Sequence, residues 1–316
     1  MRILITGAYG YLGGRLAQYL ATQAKREIIL ASRKIISSPH WLPQARVVQV
    51  KWDSAENLDE ICTNVDTIIH LAGMNAQDCR NDPAAALDVN AVATARLLMS
   101  AVRQKIRRFI YLSTAHVYSS PLLGSISEDT CPSNLHPYAT SHRAGEDVVR
   151  AAQQQGEIDG VVIRLSNAYG APAHKDANCW MLLVNDLCRQ VAVTKEMVLH
   201  SSGHQRRDFI SMTDTVRGIE HLMKLPSPGL GNGLFNLGGG RSLRIMELAE
   251  YIADRSRVIL GFEPSIKCQK VKQDNAQRSL DYRIDKLLSS GFVLTGNMRH
   301  EIDESLKFCL TNFGGE

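Results

Sequence analysis

Ile3-Leu4-Ile5-Thr6-Gly7-Ala8-Tyr9-Gly10-Tyr11-Leu12-Gly13 stands at the head of the chain and decides the fold. A short apolar, β-prone run enters three glycines at three-residue spacing, and residues 13–24 then carry apolar side chains every three or four positions, the helical period. Glycine lets the backbone turn sharply and approach a pyrophosphate closely. The free N–H groups and dipole of the following helix stabilise the negative charge. The spacing Gly-x-x-Gly-x-x-Gly is one residue longer than the usual dinucleotide pattern. A glycine triplet alone means little, but a strand before it and a helix after it supply the required context. Gly7, Tyr9, Gly10, Tyr11, Leu12 and Gly13 are therefore expected to cradle a dinucleotide.

Further β-prone runs follow at 28–31, 46–50, 67–71, 108–112 and 161–165, separated by amphipathic stretches at 84–105 and 138–155. That alternation predicts an α/β fold: a doubly wound parallel-sheet Rossmann domain built from right-handed βαβ units. A Pro/Gly/Asn-rich passage at 167–178 precedes a helix-like 180–191, shorter elements towards the C-terminus, and a helix-strand pair at 213–224 and 233–237. The expected division is a dinucleotide-binding domain over 1–168, rejoined by 208–238, and a smaller mixed α/β substrate lobe over 169–207 and 239–316.

In this fold an acid at the end of the second strand receives the ribose 2′-hydroxyl of NAD. Here that place reads Ala31-Ser32-Arg33-Lys34. A guanidinium matches phosphate oxygens, so Arg33 points to NADP, with NAD as the alternative.

Formal net charge is +4 and the basic residues are scattered, which gives no nucleic-acid-binding tail and suits a small anionic substrate as well as a solvated surface. The seven cysteines form no Cys-x-x-Cys pair, so reduced thiols and no zinc site are expected. No charged-then-apolar leader and no run of about 18 uninterrupted apolar residues is seen, and a cytoplasmic protein without a membrane span is the expectation.

Ser113-Thr114-Ala115-His116-Val117-Tyr118 and Tyr138-Ala139-Thr140-Ser141-His142 resemble the extended short-chain dehydrogenase/reductase family, of the nucleotide-sugar-modifying, epimerase/dehydratase type. The ordered series of Asp53, His70-Leu71-Ala72-Gly73, Asn90, Arg164-Leu165-Ser166-Asn167-Ala168-Tyr169-Gly170, Gly203 to Phe209, Asn236-Leu237-Gly238 and Arg278 extends the likeness over most of the chain. The resemblance implies that Tyr138 exchanges a proton with a sugar oxygen that Thr114 polarises, while hydride moves to or from the nicotinamide. It also implies that Asp53 faces the adenine, that Leu71 and Ala72 line the cofactor, and that Asn90 supports the catalytic centre. Asn167, Asn178, Arg207 and Arg278 match positions that hold a nucleotide-sugar diphosphate, and the helices over 84–105 and 138–155 match a homodimer bundle.

One position departs from the family. Its lysine, four residues after the tyrosine, is His142 here. The lysine grips the nicotinamide ribose and lowers the tyrosine pKa by its charge; His142 can hydrogen-bond the ribose in its place, but a histidine is mostly neutral near pH 7. To serve as a base near pH 7, a tyrosine needs about 4 kcal/mol of such assistance. Donating a proton needs none, so reduction tolerates His142 better than alcohol oxidation. Ala115-His116 replaces the acidic pair of the family's 4,6-dehydratases, which argues against dehydration. His116 falls where 3,5-epimerases carry a cysteine, as an acid or base or as a structural histidine. The expected function is an NADPH-dependent reductase of a nucleotide-activated keto-sugar, such as a 4-keto-6-deoxyhexose. The alternatives are a nucleotide-sugar epimerase that retains its NAD(P), and a cofactor-binding regulatory or scaffold protein.

Overall fold

The computed structural model describes residues 1–268 and 279–315. Seven strands form one parallel sheet in the order Leu234–Leu237, Asp159–Leu165, Arg108–Thr114, Thr67–His70, Arg2–Thr6, Glu27–Ser32, Arg46–Gln49. Their central residues are buried on both faces, as in Ile3, Leu4, Ile5, Ile68, Ile69, Phe109, Ile110, Val161 and Val162. This is why the strands read as continuous apolar runs. The expected strands recur within two residues of their bounds, so the chain folds as a doubly wound Rossmann-type α/β protein. Strand order reverses between Arg2–Thr6 and Thr67–His70, which opens a crevice at the carboxyl ends of these neighbours, where Gly7 and Leu71 lie.

Helix Tyr11–Ala21 packs Leu12, Leu16 and Leu20 into a core shared with Val216, Ile219 and Leu222 of helix Met212–Lys224. The buried Arg108 donates to the Leu222 and Met223 carbonyls at 2.9 and 2.7 Å and to Asp159 at 2.9 Å. A cation thus meets the negative end of helix Met212–Lys224. Opposite, Leu97, Leu98 and Ala101 of Ala93–Arg103 pack with Val149 and Ala152 of Pro137–Gln154. The apolar stretch Pro83–Arg103 has the length and composition of a membrane span, yet half of it is buried within this fold.

A separate core forms from Val184, Leu187, Met197, Phe209, Leu248, Ile252, Ile302 and Leu306. In place of the short elements expected near the C-terminus, two 16-residue helices form, Ile245–Leu260 and Met298–Phe313. The second is tied back by the buried Glu301, which accepts from Thr213 N at 2.8 Å and from Arg15 at 3.3 Å.

Candidate active site and dinucleotide cradle

Gly7 has φ +66°, and a Cβ there would lie 2.6 Å from the Leu71 carbonyl carbon and 2.7 Å from Ala72 N. A Cβ on Gly13 would lie 2.2 Å from Gly7 O. Gly10 caps helix Tyr11–Ala21 without any side-chain hydrogen bond, which leaves first-turn amides available to an anion. Close backbone approach with uncapped amides is the chemistry a dinucleotide pyrophosphate requires, so the residues present fit the group. Gly13→Ala is expected to lower stability by about 1–3 kcal/mol through overpacking and to abolish cofactor-induced stabilisation. Thermal unfolding with and without NADPH checks this; a variant still stabilised by NADPH would remove the cradle from Gly13.

The turn's side chains take other duties. Leu12 is buried in the core, and the Tyr11 hydroxyl donates to Gly170 O at 2.8 Å, next to Asn185. Any contribution of Tyr11 to a cofactor is therefore through its backbone. The Tyr9 ring meets Trp41 edge-on at 5.9 Å, Trp41 stacks on His174 at 5.7 Å, and His174 Nε2 donates to Tyr9 O at 3.1 Å. Trp41 and His174 were not legible as site neighbours, because each sits in a connecting segment whose pattern carries no partner.

Leu71 and Ala72 border the crevice, with Ala72 N donating to Thr6 Oγ1 at 3.3 Å. Arg33 is exposed, and among the described residues no carboxylate pairs with it. Ser32 Oγ accepts from Lys34 N at 3.1 Å and shapes the same turn. Asp53, also exposed, is paired with Arg96.

Around Tyr138 the structure brings Thr114, His142 and Asn90 together. Thr114 ends its strand and accepts from His116 N at 3.1 Å, so its hydroxyl proton is left to donate elsewhere. Burial pushes the Tyr138 hydroxyl above its ordinary pKa, and a hydrogen bond with Thr114 opposes this only in part. The Tyr138 and His142 rings meet edge-on at 4.6 Å. Burial pushes His142 down to about 4, and His70 beneath it down to about 3. Both imidazoles are therefore neutral at pH 7, and the charge that a lysine would bring is wholly missing at position 142.

Asn90 lies in a turn of π-helix, Asp88–Val92, between Pro83–Leu87 and Ala93–Arg103. Its Oδ1 accepts from Met74 N at 2.8 Å and its Nδ2 donates to Ser141 at 2.9 Å, which latches the loop after Thr67–His70 to the helix bearing Tyr138 and His142. π-Turns inside α-helices recur at functional sites. Lower in the same helix, the buried Glu146 holds Arg164 through bonds of 2.6, 3.0 and 3.1 Å and accepts from Ser113. That nearby cation is thus already committed.

At the lobe side, burial lowers the pKa of His116, and the Arg207 charge adds to the effect. Arg207 donates to Gln205 Oε1 at 3.1 and 3.3 Å and not to its neighbour Asp208; among the described residues no carboxylate pairs with it. Asn167 Nδ2 donates to Asp208 O at 2.8 Å, Asn178 is exposed, and Arg278 lies outside the described residues.

Asp208 is fully buried, with Oδ1 accepting from Gly239 N at 2.8 Å and Oδ2 without a hydrogen-bond partner among the described residues, and burial raises its pKa from 3.8 to about 6. Below pH 3.8 folded and unfolded chains both carry the proton. As pH rises towards 6 the unfolded chain ionises first, so the fold loses roughly 3 kcal/mol, a loss that stays constant above pH 6. Asp208→Asn is expected to remove that loss: its Tm advantage over the parent should grow between pH 4 and 6 and then level. A difference independent of pH would show that Asp208 titrates normally.

Two open clefts of about 490 and 380 Å³ flank the outer side of Pro137–Gln154 at Asp147, Arg150 and Asn232. Neither includes the glycine turn, Tyr138 or His142, so chemistry rather than cavity size marks the site.

A model of the NAD dependent epimerase/dehydratase family matches residues 3–238. The chain belongs to that family. It is accordingly an enzyme whose cofactor is NAD(P), and the crevice, the Thr114/Tyr138 pair and Asn90 all fall within the matched region. Among curated relatives, an uncharacterized UDP-glucose epimerase, YtcB, of Bacillus subtilis is 28% identical over 270 residues, covering 81% of this chain and 82% of that one. A dTDP-glucose 4,6-dehydratase of Streptomyces niveus is 27% identical over 266 residues, covering 80% and 76%. Among solved structures, UDP-glucuronic acid 4-epimerase from Bacillus cereus in complex with NAD superposes with TM-score 0.81 at 22% identity, covering 99% and 100%. RMD from Pseudomonas aeruginosa complexed with NADPH gives 0.78 at 22%, covering 98% and 99%. The two solved structures share the fold of this chain.

Proposed function

We propose that this enzyme is an NADPH-dependent reductase of a nucleotide-activated keto-sugar, with a 4-keto-6-deoxyhexose as the type of substrate. The observation that carries the reading is the neutral pair at its centre: a Tyr138 hydroxyl held protonated and a His142 imidazole held uncharged. A centre of this kind favours giving a proton over taking one. The nicotinamide supplies the hydride when bound. Thr114 donates a hydrogen bond to the substrate carbonyl oxygen, and Tyr138 transfers its hydroxyl proton to that oxygen, to be replaced from water.

Arg33, exposed and without a carboxylate partner among the described residues, suits the extra phosphate of NADP. Arg207, Asn167 and Asn178 suit a sugar-nucleotide diphosphate on the lobe side. Exposed Leu87, Val92 and Met99 on Pro83–Arg103 suit a homodimer formed through this helix and Pro137–Gln154. The free cysteines suit a cytoplasmic setting.

Mixing the enzyme with NADPH and a nucleoside-diphosphate 4-keto-6-deoxyhexose should consume the reduced nicotinamide stoichiometrically with product. The relatives named as epimerases favour a second reading, sugar epimerisation with the cofactor retained. It predicts a new epimer with no net change in nicotinamide absorbance. Cofactor binding with neither outcome would sink both readings.

A further inference from the structure

The Tyr111 hydroxyl lies 3.1 Å from Asn90 O, 3.5 Å from His142 O and 3.0 Å from His142 Nδ1. The two carbonyl oxygens can only accept; the ring nitrogen can do either. If Tyr111 gave its single proton to Nδ1, its own oxygen would face the Asn90 carbonyl at 3.1 Å with no hydrogen between them. In a buried site that acceptor-acceptor contact is costly. If Tyr111 donates to Asn90 O instead, Nδ1 must carry a proton and donate to Tyr111. Among the described residues Nδ1 has no other hydrogen-bond partner.

We infer that Tyr111 is a positioning residue that locks His142 in its Nδ1–H tautomer, so that Nε2 presents a hydrogen-bond acceptor to a ribose hydroxyl of the dinucleotide. Nε2 faces the loop at the mouth of the crevice: a Cβ added to the exposed Gly73 would lie 3.8 Å from it. The helix can bring the ring this close because residue 145 is glycine. A Cβ there would lie 2.6 Å from both the Tyr111 hydroxyl and Asn90 O. A neighbouring chain of groups is ordered the same way. Thr94 donates to Asn90 O at 2.8 Å and so accepts from His70 Nε2 at 3.0 Å, which leaves His70 Nδ1 to accept from Thr6 at 2.6 Å. Thr6 in turn accepts from Ala72 N on the crevice wall. Burial holds Tyr111 protonated and His142 neutral, so the arrangement persists through the physiological range. A lysine at position 142 would donate to the ribose; His142 accepts from it. The polarity of that contact is reversed.

The inference rests on the assignment of the crevice to a nicotinamide dinucleotide but not on the sugar reaction, and its test is spectroscopic. In ¹⁵N-histidine spectra of the whole enzyme near pH 7, His142 should show a protonated Nδ1 and an unprotonated Nε2, and adding NADPH should shift the Nε2 resonance as it accepts a bond. In Tyr111→Phe the donor loses its partner, so the Nε2–H tautomer should appear. NADPH binding by titration should then weaken about ten-fold, the worth of one hydrogen bond. A wild-type Nε2–H signal overturns the inference without any variant, and so does an unchanged tautomer in Tyr111→Phe. Failure of sugar reduction with the Nδ1–H signal intact would overturn the proposed reaction and leave the tautomer lock standing.

Discussion

Tyr138→Phe is expected to lower turnover by roughly 10²–10⁴-fold while leaving the fold and dinucleotide binding close to the parent. On the proposed reaction, the change removes only the proton that Tyr138 gives to the substrate oxygen. The ring keeps its edge contact with His142, and the structural loss is one hydrogen bond to Thr114, about 1 kcal/mol. The pH behaviour of the parent discriminates further. With Tyr138 above its ordinary range and His142 down at about 4, neither titrates between pH 5.5 and 8, so the rate there should show no step from this pair. A histidine step near 6.5 would mean that His142 is solvated and able to carry charge. Steady-state rates across pH, with NADPH titrations of the variant, decide the matter. A Tyr138→Phe enzyme that retains a tenth of its turnover would remove the hydroxyl from the chemistry.

The second large effect concerns stability. Glu146→Ala leaves the Arg164 guanidinium, itself 2% exposed, without its carboxylate inside the protein. Breaking one side of a buried pair costs about 3–5 kcal/mol because the remaining charge stays desolvated. The Tm of Glu146→Ala should lie roughly 5–8 °C below the parent's. Replacing both partners, Glu146→Leu with Arg164→Met, removes the stranded charge along with the pair and should recover most of that loss. Differential scanning of the parent, the single and the double variant reads this directly. A double variant no more stable than the single would place the cost in lost packing instead of an uncompensated charge. Ser113 would lose a bond in both variants and does not affect the comparison.

Legibility in the sequence followed how local the physics is. Gly7, Gly10 and Gly13 were readable because turn, close approach and helix start are settled within one short segment, and the sheet was readable because its strands are apolar on both faces. Thr114, Tyr138 and His142 were readable as a motif, and the structure brings them together at the end of one strand and the start of one helix. Tyr111 was not. It reads as another apolar strand residue, and only the helix crossing above it gives its hydroxyl a duty. Met298–Phe313 does not stand out in the sequence as one long helix because its buried face includes Glu301 and Ser305, and these polar positions interrupt the apolar stripe. Glu301 is buried there to serve Thr213 and Arg15, contacts made across most of the chain's length.

The π turn at Asp88–Val92 is, in terms of chain length, a one-residue insertion accommodated within a helix. Each α-helical residue advances the face by about 100°, so the extra residue sets the turns before and after it out of phase by that angle. Ala93–Arg103 can thus keep Leu97, Leu98 and Ala101 on the core while Asn90 is turned towards Met74 and Ser141. One rod serves two directions that a regular helix could not satisfy together.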